Sequence, residues 1–418
     1  MKIVVVGGGS TYTPELIDGM ARLRTELPVD EIVLVDPAED RRELLAAVSR
    51  RMLRKLDHPA RVSTTADPAQ AADGAAAVLL QLRVGGQAAR ARDERWPLDC
   101  GCVGQETTGA GGLAKALRTV PVVTEIADTV RDVNPDAWIV DFTNPVGIVT
   151  RALLQEGHRA VGLCNVAIGL QRYFAELLGT EPGRVELDHV GLNHLTWERR
   201  VLLDGEDVLP GLLAGHGDAI AARIGLPVAL LRELGVVPSY YLRYFYLHDQ
   251  VVREQRGTGS RAEEVAAMEK QLLEMYADPT IDSKPDLLAG RGGAHYSDAA
   301  VALMASLLGD RRDVQVANVR NSGTLPFLPD DAVIEVPSTI GADGATPLPV
   351  ASVPPLFTGL IGAVTAYEHL ALEAAVHGGA DRVRAALLAH PLVGQWDLAE
   401  SLTERLLAEN RRYLSWAG

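Results

Sequence analysis

A short apolar strand that runs straight into glycines constrains this chain more than any other feature. Lys2-Ile3-Val4-Val5-Val6 leads into Gly7-Gly8-Gly9-Ser10-Thr11-Tyr12-Thr13-Pro14. Beyond the proline, Leu16, Ile17, Met20, Ala21 and Leu23 fall on one helical face. A strand, a glycine turn and a helix N-terminus aim backbone N–H groups and the positive end of a helix dipole at one spot, which makes an anion site. About 20 residues further on, a second strand, Glu31-Ile32-Val33-Leu34-Val35, ends in Asp36, where a carboxylate can accept a hydrogen bond from a ribose hydroxyl. The pattern predicts a dinucleotide site built from Gly7, Gly9, Ser10, Thr11 and Asp36. Tyr12 stands where a third glycine would fall, so an ordinary strand-to-helix turn is the alternative.

Strand and helix patterns alternate up to residue 165. Helical stripes fall at 40–56 and 113–133, and strands at 61–64, 76–82 and 137–142. A further helix and strand end at Leu163-Cys164. Such alternation predicts an α/β fold whose N-terminal domain, 1–165, is a Rossmann-like doubly wound parallel sheet with ligands at the carboxyl ends of its strands. From 166 to 418 the pattern loosens. Strands are predicted at 185–190 and 195–203, separated by Gly191-Leu192-Asn193-His194. Helices are predicted at 261–277, 297–308, 355–376, 381–389 and 398–415. This is expected to be a mixed α/β, helix-rich domain packed on the first.

Charge and cysteine usage exclude several functions. A net charge of −15 argues against nucleic-acid or anionic-membrane partners, so a phosphate would have to be held by a few local arginines. Arg83, Arg90 and Arg261 are the candidates, since a guanidinium fork grips phosphate oxygens; surface ion pairs are the alternative. Three cysteines make no disulfide framework, which suits a reducing cytoplasm, and Cys100 and Cys102 read as structural. The first apolar run is too short for a secretory signal, and no stretch offers the ~20 uncharged residues of a membrane span.

Polar residues gather after the strands: Arg83-Val84-Gly85-Gly86 with Arg90, the loop Gly104 to Gly112 with Glu106, Thr143-Asn144-Pro145, and Cys164-Asn165. A thiolate and an imidazole, here Cys164 and His194, can hold a divalent transition metal and leave positions open for substrate. Nothing in the spacing joins the two, and a buried thiol beside a structural histidine is the alternative. Pro238 to Tyr246 is the densest aromatic run in a chain with 5% aromatics. It reads as a packing cluster unless one hydroxyl faces a cleft, where nearby cations could lower its pKa from ~10 and make it a base.

Together these segments resemble the family 4 glycoside hydrolases, the NAD- and metal-dependent glycosidases. Gly7 to Leu16, Arg83-Val84-Gly85-Gly86, Gly104 to Gly109 and Phe142-Thr143-Asn144-Pro145 carry the likeness through the first half. Gly162 to Val166, Gly191 to His194, Tyr241 to Tyr244, Arg261 to Val265, Arg291-Gly292-Gly293 and Asn318 to Asn321 continue it. The resemblance implies Cys164 and His194 as ligands of manganese or another divalent metal, and Tyr241 as the base for the sugar C2 proton. Arg90, Glu106, Asn144, Asn165 and Arg261 would line the sugar-phosphate pocket, and Arg83 would stand with the Gly7–Gly9 loop and Asp36 at the NAD site. Cys-Asn and Arg-x-Gly-Gly followed by Arg90 are similar to the 6-phospho-β-glucosidase branch, although Ala167 replaces a proline usual there.

The implied reaction is hydrolysis by redox, elimination and addition: transient C3 oxidation by bound NAD, C2 deprotonation, loss of the aglycone, addition of water and re-reduction. A homodimer or homotetramer is similar to the family's habit. An NAD-dependent 2-hydroxyacid dehydrogenase, a non-catalytic sensor of NAD or sugar phosphate, and another family specificity such as α-glucosidase or α-galactosidase are the rivals.

Overall fold

The computed structural model describes residues 1–291 and 296–417; Gly292 and Gly293 of the Arg291-Gly292-Gly293 motif lie outside the described residues. Six strands run parallel: β1 (Lys2–Val6), β2 (Glu31–Val35), β3 (Arg61–Thr65), β4 (Ala77–Leu80), β5 (Trp138–Asp141) and β6 (Ala160–Gly162). Their order across the sheet is β3-β2-β1-β4-β5-β6. In this doubly wound arrangement the strand order reverses between β1 and β4, and the reversal opens a crevice at the carboxyl ends. All four residues of β4, an unbroken apolar run, are buried, as a strand covered on both faces requires, and so are all four of β5, which ends in Asp141.

The sheet continues past residue 165. The later strands are β7 (Val185–Leu192), β8 (Leu195–Leu203), β9 (Glu206–Asp207), β10 (Val237–Pro238), β11 (Asp313–Arg320), β12 (Val333–Gly341) and β13 (Gly344–Pro347). β11 pairs antiparallel with β6, and β12, β7, β8 and β10 follow in that order, with β13 on β12 and β9 on β8. Among the described residues one mixed sheet of thirteen strands therefore runs through both halves.

Two local differences from the sequence pattern matter for the site. The helix expected from residue 113 begins at Gly109. Gly111 and Gly112 pack against the backbone of Asp93, Gln105 and Thr107, and that tertiary contact overrides glycine's poor helix propensity. β7 also extends to Leu192, so the break between β7 and β8 shrinks to the turn Asn193-His194, with His194 at φ +63°. Among the described residues no helix is long and apolar enough to cross a membrane.

Candidate active site

The carboxyl ends of β1, β2, β4, β5 and β6 open onto a cavity of about 930 Å³. At one end lies the glycine loop. Gly7 sits at φ +85°, and a Cβ there would stand 2.7 Å from the Gln81 carbonyl oxygen. A Cβ on Gly9 would stand 2.8 Å from the Asp36 carboxylate. That carboxylate accepts hydrogen bonds from the Gly9 N–H (3.1 Å) and the Ala38 N–H (2.9 Å), while Arg41 donates to the Gly9 carbonyl (2.9 Å). The loop is thus braced by backbone contacts before any ligand arrives. Gly7, Gly9, Ser10 and Asp36 line the cavity. Thr11 is fully buried, and its hydroxyl donates to Glu269 (3.3 Å).

Further along the cavity, charges crowd together. Glu106, 7% exposed, accepts from Lys115 (2.7 Å) and from Arg83, and Arg90 lies 3.1 Å from its other oxygen. Arg90 also pairs with Glu94 at 2.7 Å. Burial works to raise the Glu106 pKa, but Arg83, Lys115 and Arg90 prevail and hold the carboxyl well below its ordinary range. Lys115 is shifted down from its ordinary value, by burial first and then by Arg83, against the pull of Glu106. Arg83, expected at the nucleotide site, turns towards this cluster. Arg261 is at the rim, half exposed, paired with Glu264 (2.8 Å) and donating to the Gly290 carbonyl (2.7 Å). Asn144 and Asn165 line the wall, and the buried Asn144 Oδ1 has no hydrogen-bond partner among the described residues.

Residues 164, 194 and 241 come from three separate segments: His194 and Tyr241 line the cavity together, and Cys164 is buried within electrostatic reach of Tyr241. The Tyr241 ring stacks on His194 with centroids 3.6 Å apart and planes 10° off parallel. His194 Nδ1 lies 3.0 Å from the Thr107 hydroxyl. The tautomer that donates Nδ1–H to Thr107 leaves a lone pair on Nε2. Burial lowers the imidazole to about 4, so the ring is neutral at pH 7, the form that binds metal. Cys164 is buried and hydrogen-bonded to the Asn193 side chain; burial, then the nearby Glu335, raises its thiol pKa. Burial, then Tyr240 and Cys164, likewise raises the Tyr241 phenol. Both groups would need a close positive charge to ionise. Among the described residues no set of three or more His, Cys, Asp and Glu gathers to hold a metal. A Cys/His pair supplies two protein ligands, and the remaining positions would fall to substrate oxygens and water, as in open catalytic sites.

Several contributors are absent from the residues picked out in the sequence. Lys115 was detectable as the one charge within Leu113 to Leu117, an otherwise apolar helical stretch. Thr107 lies within the Gly104 to Gly112 loop, whereas Glu335, beside Cys164, and Tyr296, on the cavity wall, carry no local mark; tertiary contact alone brings these two to the site.

A dinucleotide loop, a cation-ringed carboxylate and a His/Tyr stack line one cavity, with the Cys164 thiol buried near Tyr241, and together they define a cofactor-dependent enzyme for a small anionic substrate. The family comparisons narrow the class. Residues 2–180 match the family 4 glycosyl hydrolase model and residues 189–393 the family 4 glycosyl hydrolase C-terminal domain model, and the chain belongs to this family. It is 38% identical to a probable 6-phospho-beta-glucosidase of Bacillus subtilis (strain 168), over 99% of this chain and 97% of that one. The structure of the Thermotoga maritima 6-phospho-beta glucosidase with manganese, NAD+ and glucose-6-phosphate superposes with a TM-score of 0.91. That match has 33% identity and covers 99% of each chain. A malate dehydrogenase from Salinibacter ruber matches at a TM-score of 0.55 and 16% identity over 89% of this chain and 97% of its own, a likeness of fold alone.

Proposed function

We propose that this protein hydrolyses 6-phospho-β-glucosides with NAD and a divalent metal, manganese first, as cofactors. One observation carries the proposal: a single cavity joins Gly7, Gly9 and Asp36 to Arg90, Glu106, His194 and Tyr241, so a nucleotide and a sugar phosphate can meet inside it. When bound, the dinucleotide supplies a reversible hydride acceptor and the cation a Lewis acid that acidifies neighbouring hydroxyls.

The chain's own residues do the rest. Gly7, Gly9 and Ser10 let a pyrophosphate approach the backbone, and Asp36 orients a ribose. Cys164 and His194 hold the cation. Arg90 and Arg261, with Arg83 beside them, hold the phosphate, while Glu106, Asn144 and Asn165 orient the sugar hydroxyls. Tyr241 takes the C2 proton, which is acidic only while C3 is a carbonyl, and the aglycone then leaves from C1 before water adds. Residues 1–165 act as the NAD-binding domain, and 166–418 bring in His194, Tyr241 and Arg261. The same reading makes the protein a cytoplasmic homodimer or homotetramer with no nucleic-acid or membrane partner.

Nitrophenyl 6-phospho-β-glucoside with NAD+, Mn2+ and reductant should release nitrophenol, and omitting NAD+ or adding a chelator should stop it; full turnover without NAD+ would sink the proposal. In deuterated water the product should carry deuterium at C2. A 2-hydroxyacid dehydrogenase would instead accumulate NADH, insensitive to chelator.

A further inference from the structure

Beneath the turn that carries His194 lies a closed set of polar side chains sealed from solvent. His189, on β7, bonds Glu198 through Nδ1 (2.7 Å) and Glu335 through Nε2 (3.1 Å). None of the three is more than 1% exposed. The second oxygen of Glu335 accepts from Asn318 (2.8 Å) and from the Asn193 amide (3.1 Å). The Asn193 side chain also bonds the Cys164 thiol. One amide therefore bridges a buried carboxylate and a sulfur.

Burying two carboxylates and an imidazole costs several kcal/mol that apolar side chains of the same volume would not, so the set is poorly explained by stability. Burial works to discharge His189, but its two carboxylate partners prevail and raise it to about 10, which keeps it a cation at neutral pH. Against its burial, His189, Asn193 and Asn318 hold the Glu335 carboxyl below its ordinary range, and its field reaches both Cys164 and His194.

We propose that Asn193 and Glu335 are positioning residues for the metal centre: Asn193, whose amide bridges Glu335 and the Cys164 sulfur, orients that sulfur, and Glu335, braced by His189 and Glu198, fixes the amide and supplies negative charge beneath the cation. An N–H donor to sulfur fixes the direction of its lone pairs, and partners of this kind set ligand geometry and affinity. The inference rests on the proposed metal role of Cys164 and His194.

The test is titration of Co2+ alone into the full-length apo protein, following the thiolate-to-cobalt absorption band, with NAD binding as the control for folding. Wild type should show the band and Cys164→Ser should lack it. A wild type without the band would remove the metal-site reading itself, and this inference with it. Given the band, Asn193→Ala should bind Co2+ about 10- to 100-fold more weakly. Its band should also move to longer wavelength, because the sulfur lone pair loses its stabilising N–H. Unchanged affinity and band would overturn the proposal, and so would weaker binding with an unmoved band, since that is what a merely structural role gives. Glu335→Gln keeps the shape and loses the charge; it should weaken Co2+ binding about tenfold, and it carries the test alone if Asn193→Ala fails to fold. Wild-type Co2+ affinity in folded Glu335→Gln would overturn the role of Glu335.

Discussion

The two ends of the cavity are built in opposite ways. At the nucleotide end, Gly7 to Asp36 is contiguous chain, and its shape comes from backbone: a left-handed glycine, close carbonyls and N–H groups, and one carboxylate bound to two of them. At the sugar end, Glu106, Lys115, Cys164, His194 and Tyr241 arrive from five elements, and their properties come from burial and mutual charge. The first end is braced by backbone contacts. The second is crowded with groups whose protonation departs from the ordinary, as expected where chemistry is done. Binding and catalysis should therefore separate under mutation.

The sharpest separation is expected of Cys164→Ser. Losing a metal ligand removes several kcal/mol of transition-state stabilisation, so turnover should fall roughly 10³-fold or more while NAD binding is untouched. Turnover against nitrophenyl phosphoglucoside beside an NAD titration checks it, and a parallel loss of NAD affinity would break the comparison. Tyr241→Phe should follow, with turnover down about 10²- to 10³-fold, no deuterium exchange at C2, and both cofactors still bound.

Gly7→Ala probes the other end. A side chain at φ +85° costs about 1–3 kcal/mol, and its Cβ would meet the Gln81 carbonyl. The melting temperature should drop by several degrees and the NAD requirement should rise, yet turnover at saturating NAD should recover. Failure to recover would mean that the two ends are mechanically coupled.

Stability should also depend on pH. Burial, opposed by Arg151, raises the Glu368 carboxyl to about 8 from an ordinary 4.5. The folded state then holds a proton that the unfolded chain has lost. Its contribution is fully present below pH 4.5 and is lost as pH rises to 8, at roughly 1.4 kcal/mol per pH unit. Glu368→Gln cannot ionise, so its melting temperature should fall less between pH 5 and 8 than that of wild type. Thermal melts across that range decide it.

How legible each end was follows from the same contrast. β1, Gly7–Gly9 and Asp36 lie within 36 residues, and strand, turn and strand-end acid form a local pattern that periodicity detects. Helices such as Arg261–Ala277 are equally plain, because an apolar stripe repeats within one element, whereas glycines and alanines blur the stripe of Leu209–Ile224. β11 and β12 leave no such local pattern: Asn318 and Pro337 interrupt their apolar runs, and it is pairing with β6, β7 and each other that makes them strands. Cys164, His194 and Tyr241 were chosen from residue type and from the family resemblance, never from spacing.

What the sequence determined by itself, then, is the parallel βα half, the crevice at its strand ends and the kinds of side chain available there. Tertiary structure decided which of those side chains meet. It stacked Tyr241 on His194, turned Arg83 and Lys115 onto Glu106, and placed the His189 triad under the Cys164 thiol through Asn193. The physical reason is that backbone conformation depends on near neighbours in the chain, whereas the protonation and reach of a buried group depend on whatever the fold packs against it.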